Sequence, residues 1–144
     1  MSKRNGTYFI THCCRRKSRK KGLLPARQRY LAGYIDDVLK FSKSQGAGFL
    51  ILSGEFGFLK ENAKIPYYDK LLTYSDFEAL NKVADRQYKK YKFRKAVFFH
   101  IDTKIDGKVR TYVDFMKEFS LRNNVNAEFV RIDLREIANR RYID

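Results

Sequence analysis

Phe49-Leu50-Ile51-Leu52-Ser53-Gly54-Glu55-Phe56-Gly57-Phe58-Leu59, continuing to Ile65-Pro66-Tyr67-Tyr68-Asp69, is the stretch that decides how the rest of the chain is read. Residues 49–52 are apolar without alternation, which predicts a short strand buried on both faces. The chain then changes at once to Ser-Gly-Glu-x-Gly. Two glycines around a carboxylate predict a shaped turn, since glycine tolerates positive φ and lets a ligand come close to the backbone. Pro66, two tyrosines and Asp69 follow with no helix or strand period. Open α/β sheets carry their sites on loops of this kind, after a buried strand. A competing reading gives the same residues only structural duties: Ser53 ends a strand, Gly54 and Gly57 make a turn, and Tyr67 and Tyr68 cap the core. The stretch is not a Walker loop, because no Gly-Lys-Ser/Thr follows, and it lacks the dinucleotide Gly-x-Gly-x-x-Gly spacing.

Upstream, Thr7 to Cys13 reads as a first strand, which runs into Cys13-Cys14 and then Arg15-Arg16-Lys17-Ser18-Arg19-Lys20-Lys21. Six of those last seven residues are cationic, which predicts a solvated loop, and at a strand end it suits phosphate binding. Pro25 opens a helix whose apolar stripe is Tyr30, Leu31, Tyr34, Ile35, Val38 and Leu39. Downstream, Ser75-Asp76-Phe77-Glu78 reads as a capping box ahead of a second helix through Tyr91. Lys95 to Ile101 is a third buried strand that ends in His100-Ile101-Asp102. Asp106-Gly107 is a turn, and Val109, Tyr112, Val113, Met116 and Phe119 share a helical face. Glu128 to Ile132 alternates like a half-exposed edge strand, and Asp133 caps a last helix, Leu134 to Tyr142. Regular strand–helix alternation predicts a single α/β domain over residues 1–144, a three-layer sandwich with a mainly parallel sheet of about four strands.

The chain has 144 residues, 44% of them hydrophobic and 15% aromatic, enough for a real core. Its 31 Lys and Arg against 16 Asp and Glu give a net charge of +15, which points to nucleic acid or a phosphorylated nucleotide as partner. Cys13 and Cys14 are adjacent and have no other cysteine to pair with, so a reducing cytoplasm is expected. With His12 and His100 the only histidines, no metal site and no cofactor are expected. No apolar run approaches membrane-spanning length, so no membrane association is expected, and nothing in the sequence sets the oligomeric state.

In a parallel sheet all strand C-termini share one edge. That edge gathers Cys14, Arg15 and Lys17, then Ser53, Gly54, Glu55, Tyr68 and Asp69, then His100 and Asp102, then Asp133. Cations beside carboxylates suit a phosphate-linked sugar or base: Arg15, Arg16 and Lys17 hold phosphate, Tyr68 stacks on a base, and Glu55, Asp69 or His100 serves as the acid or base. The bland reading of His100 is a polar strand end.

Residues 51–59 with 65–69, Cys14-Arg15-Arg16-Lys17, and Pro25-Ala26-Arg27-Gln28-Arg29-Tyr30-Leu31-Ala32-Gly33 resemble, in order, three motifs of the YaaA-like peroxide-stress proteins and a related small bacterial and phage family of uncharacterised function. The family pattern has serine where Arg15 stands and leucine where Arg29 stands. The chain is much shorter than the peroxide-stress proteins and shows no clear helix-hairpin-helix element. The resemblance implies an α/β fold, nucleic-acid association, and a role in DNA damage, oxidative stress or base modification. Together these readings lead to a protein acting on nucleic acid or a nucleotide, cleaving or exchanging an N-glycosidic bond. Glu55, Asp69 and His100 are the catalytic candidates, and Cys14, Arg15, Arg16, Lys17, Tyr30, Ser53, Gly54, Gly57 and Tyr68 are the ligand-binding ones. The alternative is a non-catalytic DNA- or RNA-binding module acting through its basic surface. Cys14, Ser53, Glu55 and Tyr68 are expected to line one concave site.

Overall fold

The computed structural model describes residues 6–132. The chain order is β1 (Thr7–His12), β2 (Leu24–Pro25), α1 (Ala26–Arg29), α2 (Gly33–Ser44), β3 (Gly48–Ser53), β4 (Gly57–Leu59), β5 (Lys64–Ile65), α3 (Phe77–Tyr91), β6 (Lys95–Ile101), α4 (Val109–Arg122) and β7 (Asn126–Ile132). Five strands form the central sheet in the order β4-β3-β1-β6-β7, and β2 pairs with β5 in a separate two-stranded ribbon. Within the central sheet β3, β1, β6 and β7 run parallel and β4 is antiparallel to β3, while β2 and β5 pair antiparallel in the ribbon. The expected α/β sandwich is observed, with its parallel strands where the apolar runs placed them and with β4 added. Asp133 and the helix expected over 134–142 lie outside the described residues.

Adjacent residues of a strand face opposite sides of the sheet, and here the two sides carry different helices. Phe9 of β1 meets Phe41 of α2, whereas Tyr8 meets Tyr91 of α3, and Phe58 of β4 meets Phe119 of α4. So α2 covers one face, and α3 and α4 cover the other. Ile10, Leu50, Ile51, Leu52 and Phe98 are fully buried, as expected of strands covered on both faces. β7 closes one edge with an alternating, half-exposed pattern.

Two local expectations are corrected. The first helix does not run on from Pro25: α1 is a single turn, and Tyr30 and Ala32 are extended before α2 begins. The backbone of this break is engaged elsewhere, since Leu31 N donates to Arg16 O at 3.1 Å and Tyr30 pairs with Lys17. Tyr30 is consequently buried and Leu31 is 47% exposed. The capping box sits two residues earlier than expected, on Thr73 and Asp76, because a 3-10 turn over Tyr74–Asp76 precedes α3. Among the described residues no helix is long and apolar enough to cross a membrane.

Candidate functional site

Strand order locates the site. From β1 the chain crosses over one face, through α2, to β3; after the β3–β4 hairpin it returns across the other face, through α3, to β6 on the far side of β1. The connections leaving β1 and β6 therefore diverge to opposite faces and leave a crevice between the two strand ends. A cleft of about 240 Å³ occupies that crevice, walled by His12, Cys13 and Cys14 after β1, Ile101 at the end of β6, Tyr34 of α2 and Tyr112 of α4. Arg15, Lys17, Asp69, Lys70, Asp106 and Lys108 add charged groups to its walls and rim.

The loop after β3, on which the sequence reading centred, is taken up differently. β3 turns straight back into β4, with Ser53 paired opposite Gly57. Ser53 Oγ, fully buried, accepts the Glu55 and Phe56 N–H groups at 3.0 Å each, which makes the turn. With its lone pairs so engaged, its hydroxyl donates to the Tyr68 hydroxyl at 3.0 Å, and the Tyr68 and Tyr30 hydroxyls share a further hydrogen bond. Gly57 has φ +77, and a Cβ there would come within 2.5 Å of Gln87 Oε1. Gln87 reaches from α3 to accept from Phe58 N and donate to Phe56 O and Phe58 O, pairing the free side of β4. At Gly54 a Cβ would lie 3.1 Å from Leu72 and 3.2 Å from the Tyr112 hydroxyl. Both glycines admit protein atoms; neither opens room for a ligand.

Of the sequence candidates, Cys14, Arg15, Lys17 and Asp69 line the cleft. Ser53, Tyr68 and Tyr30 form the hydrogen-bonded layer next to Lys17, and Gly54 packs against Tyr112. Gly57 belongs to the hairpin, and Arg16 is exposed outside the cleft. Glu55 also stands outside, paired with Lys70 at 3.7 Å, while Lys70 lies 3.6 Å from Asp76. His100 is half-buried, stacks on Phe98 and contacts Ile101 O through Nδ1, apart from the cleft lining. The expected convergence of Cys14, Ser53, Glu55 and Tyr68 on one concave wall is therefore corrected: Cys14 reaches it, Ser53 and Tyr68 lie outside the lining, and Glu55 is on the surface.

The cationic run is not wholly solvated as expected, because Lys17 is only 8% exposed. Its stem is covered as its backbone bridges to Tyr30, and its ammonium lies 4.6 Å from the Tyr68 ring centroid, with Arg15 O at 3.4 Å. Among the described residues no carboxylate pairs with it. A ring face and one carbonyl leave most of the donor capacity of the Lys17 ammonium open on its cleft side. Burial, the largest influence, holds the Tyr30, Tyr68 and Tyr112 hydroxyls far above the ordinary tyrosine range, so they stay neutral. Burial also raises the Cys14 thiol, which keeps it protonated and a poor nucleophile at neutral pH.

Two contributors escaped the sequence reading. His12, not His100, forms part of the cleft wall, and it is almost completely buried. Its Nε2 accepts Ile101 N–H at 3.2 Å, so Nδ1 carries the proton and gives it to Cys13 O at 3.0 Å. The ring thus ties the ends of β1 and β6 together across the crevice. Arg29 is fully buried, and its guanidinium donates to the carbonyls of Ser18, Lys20, Gly22 and Ile65. No local signal marks either residue, since each also ties in a segment far along the chain, Ile101 for His12 and Ile65 for Arg29.

The sequence matches no family model, and no curated protein or solved structure is measurably similar to the chain. Among the described residues no cluster of three or more His, Cys, Asp and Glu is placed to hold a metal ion.

Proposed function

We propose that the chain is a nucleic-acid- or nucleotide-associated protein that holds a phosphorylated nucleotide unit in the cleft between β1 and β6, and that kinship with the YaaA-like proteins belongs to the same reading. The observation that carries it is Lys17. A nearly buried lysine that lines a cleft, with no carboxylate partner among the described residues, favours an anion entering that cleft. Arg15 and Lys108 on the same walls add to the pull. The cleft's volume, about 240 Å³, falls below the roughly 300–1,000 Å³ typical of drug-sized ligands, which suits one sugar-phosphate unit rather than a dinucleotide.

The reaction we assign is cleavage or exchange of an N-glycosidic bond in damaged or modified nucleic acid. Asp69 replaces Glu55 as the carboxylate, because it lines the cleft and Glu55 does not. In hydrolysis the C1′–N bond breaks, Asp69 stabilises the cationic sugar, water adds to C1′, and the base leaves with a proton. The setting that fits two free cysteines is the reducing cytoplasm. A non-catalytic binding module remains the second reading, favoured by the cations of residues 15–21 that lie outside the cleft.

Calorimetric titration with a nucleoside monophosphate and its parent nucleoside tests the site. The phosphorylated ligand should bind the better of the two, and Lys17→Gln should weaken it roughly ten- to hundredfold, the worth of a hydrogen bond to a charged group. Equal affinity for both ligands, or an unaffected Lys17→Gln variant, would sink the reading. Chromatography of modified-base oligonucleotides and free nucleosides tests the chemistry: base should be released, and Asp69→Asn should abolish the release. Binding without release leaves the module reading.

A further inference from the structure

We infer that Tyr67 and Arg19 form a stacking platform for a base of single-stranded nucleic acid, one residue outside the cleft layer. The inference rests on the reading above only in taking the partner to be nucleic acid; it adds the form of that nucleic acid and a site for a second nucleotide. Tyr67 and Tyr68 are neighbours with opposite fates. Tyr68 turns inward to Ser53, Tyr30 and Lys17, while Tyr67 is 38% exposed and carries the Arg19 guanidinium 5.2 Å from its ring centroid. An aromatic face together with a guanidinium is the pair that receives an unstacked base and its phosphate in single-strand binding proteins.

The pair is held in place by one buried group. Arg29 donates to Ser18 O at 2.7 Å and to Lys20 O at 3.0 Å, the carbonyls on either side of Arg19. The same guanidinium donates at 3.1 Å to Ile65 O, two residues before Tyr67. Ser18 N closes the tie by donating to Arg29 O at 2.8 Å. Both halves of the platform therefore hang from Arg29, and ordering them costs little on binding. A loop this rich in like charges would otherwise repel itself into an ensemble.

The surroundings select the polymer. No Asp or Glu occurs in the sequence before Asp36, so nothing in the loop from Arg15 to Lys21 competes for its cations. Asp69, on the cleft wall, follows Tyr67 by two residues, a Cα separation of at most about 7 Å. Successive nucleotides of an extended strand can thus occupy the cleft and the platform. A duplex keeps its bases stacked inside and would present only phosphates to Tyr67. Stacking is tolerant of sequence because every base has a π-face, so the platform supplies affinity without a code.

Fluorescence anisotropy with a labelled oligothymidylate, the same strand annealed to its complement, and a thymidine monophosphate competitor tests this. Tyr67→Leu, which keeps an apolar side chain and removes the ring, should weaken single-strand binding roughly ten- to hundredfold. Tyr67→Phe should bind like the parent, and mononucleotide binding should be unchanged in both variants. Thermal melting of these surface variants confirms that they fold. Single-strand affinity surviving Tyr67→Leu, or duplex bound as tightly as single strand, overturns the platform while leaving the cleft reading intact. Oligonucleotide binding that depends on Tyr67, with no mononucleotide bound by the parent protein, does the reverse.

Discussion

His12 shows how much one buried side chain can link. It joins β1 to β6 through Ile101 N–H, shares Cys13 O with the Tyr34 hydroxyl, and faces the Tyr112 ring in the cleft. Burial is the main reason its pKa falls from 6.5 to about 4; Cys13 O opposes the fall, His100 assists it, and Asp106 opposes it weakly. At pH values between these limits the unfolded chain takes up a proton that the folded state refuses. The contribution of a neutral His12 is therefore whole above pH 6.5 and is lost as the pH falls toward 4, amounting to roughly 3 kcal/mol. Urea unfolding at a series of pH values should show this decline, and it should be missing from the profile of a His12→Gln variant. An identical slope in both proteins would assign the decline to other groups.

At the scale of elements, the segment from Lys17 to Gly22 is ordered by a single side chain. It has almost no regular structure, yet Arg29 takes three of its carbonyls, and a fourth from β5. The charge of Arg29 meets no carboxylate among the described residues, so carbonyl dipoles alone compensate its burial. Arg29→Met should destabilise the fold by about 3 kcal/mol or more, because partly or fully buried carbonyls lose their donor. Arg29→Lys should recover little, since one ammonium cannot reproduce a planar fork. Denaturant titration reads both changes, and limited proteolysis should cut first between residues 18 and 22. A stability loss below ~1 kcal/mol in Arg29→Met would show that the loop is held by other means. The β3–β4 hairpin is the opposite case, built from local turn chemistry at Ser53 and Gly57 and finished by Gln87 of α3.

For the whole molecule, charge is unevenly distributed along the chain. Ten of the 31 Lys and Arg precede the first carboxylate residue, Asp36. Five of those ten, Arg15, Arg16, Arg19, Lys20 and Lys21, are exposed on the loop beside the cleft. A polyanion bound there releases counterions, so affinity should fall steeply with salt. On single strands the logarithmic slope should approach about 0.7 per phosphate neutralised. Changing the five to glutamine should flatten that slope while leaving the melting temperature near the parent value, since none is buried. Lys17 is left in place because it is buried, whereas Arg15 on the cleft rim is exposed and is changed with the rest. A slope unchanged by the five substitutions would move the polyanion to another face.

Composition, period and order were enough to determine the α/β class, the four parallel strands, the half-exposed edge at 128–132 and the cationic character of the β1 loop. Each depends on side chains close together in sequence, where burial patterns repeat every two or 3.6 residues. The position of the cleft was not legible in the same way. Alternating strands and helices are compatible with several strand orders, and only the placement of β6 on the far side of β1 opens the crevice there. The apparent site after β3 lost its loop to β4, a three-residue strand too short to register as a period. Lys17 looked solvated and Arg29 looked misplaced because a charge is tolerated inside only when carbonyls and rings from distant segments surround it. His12 and His100 occupy similar strand ends, and only the closing of β1 against β6 puts His12 in the cleft wall. These outcomes needed tertiary structure because burial and hydrogen-bond satisfaction depend on which segments meet, and that is settled when the sheet assembles.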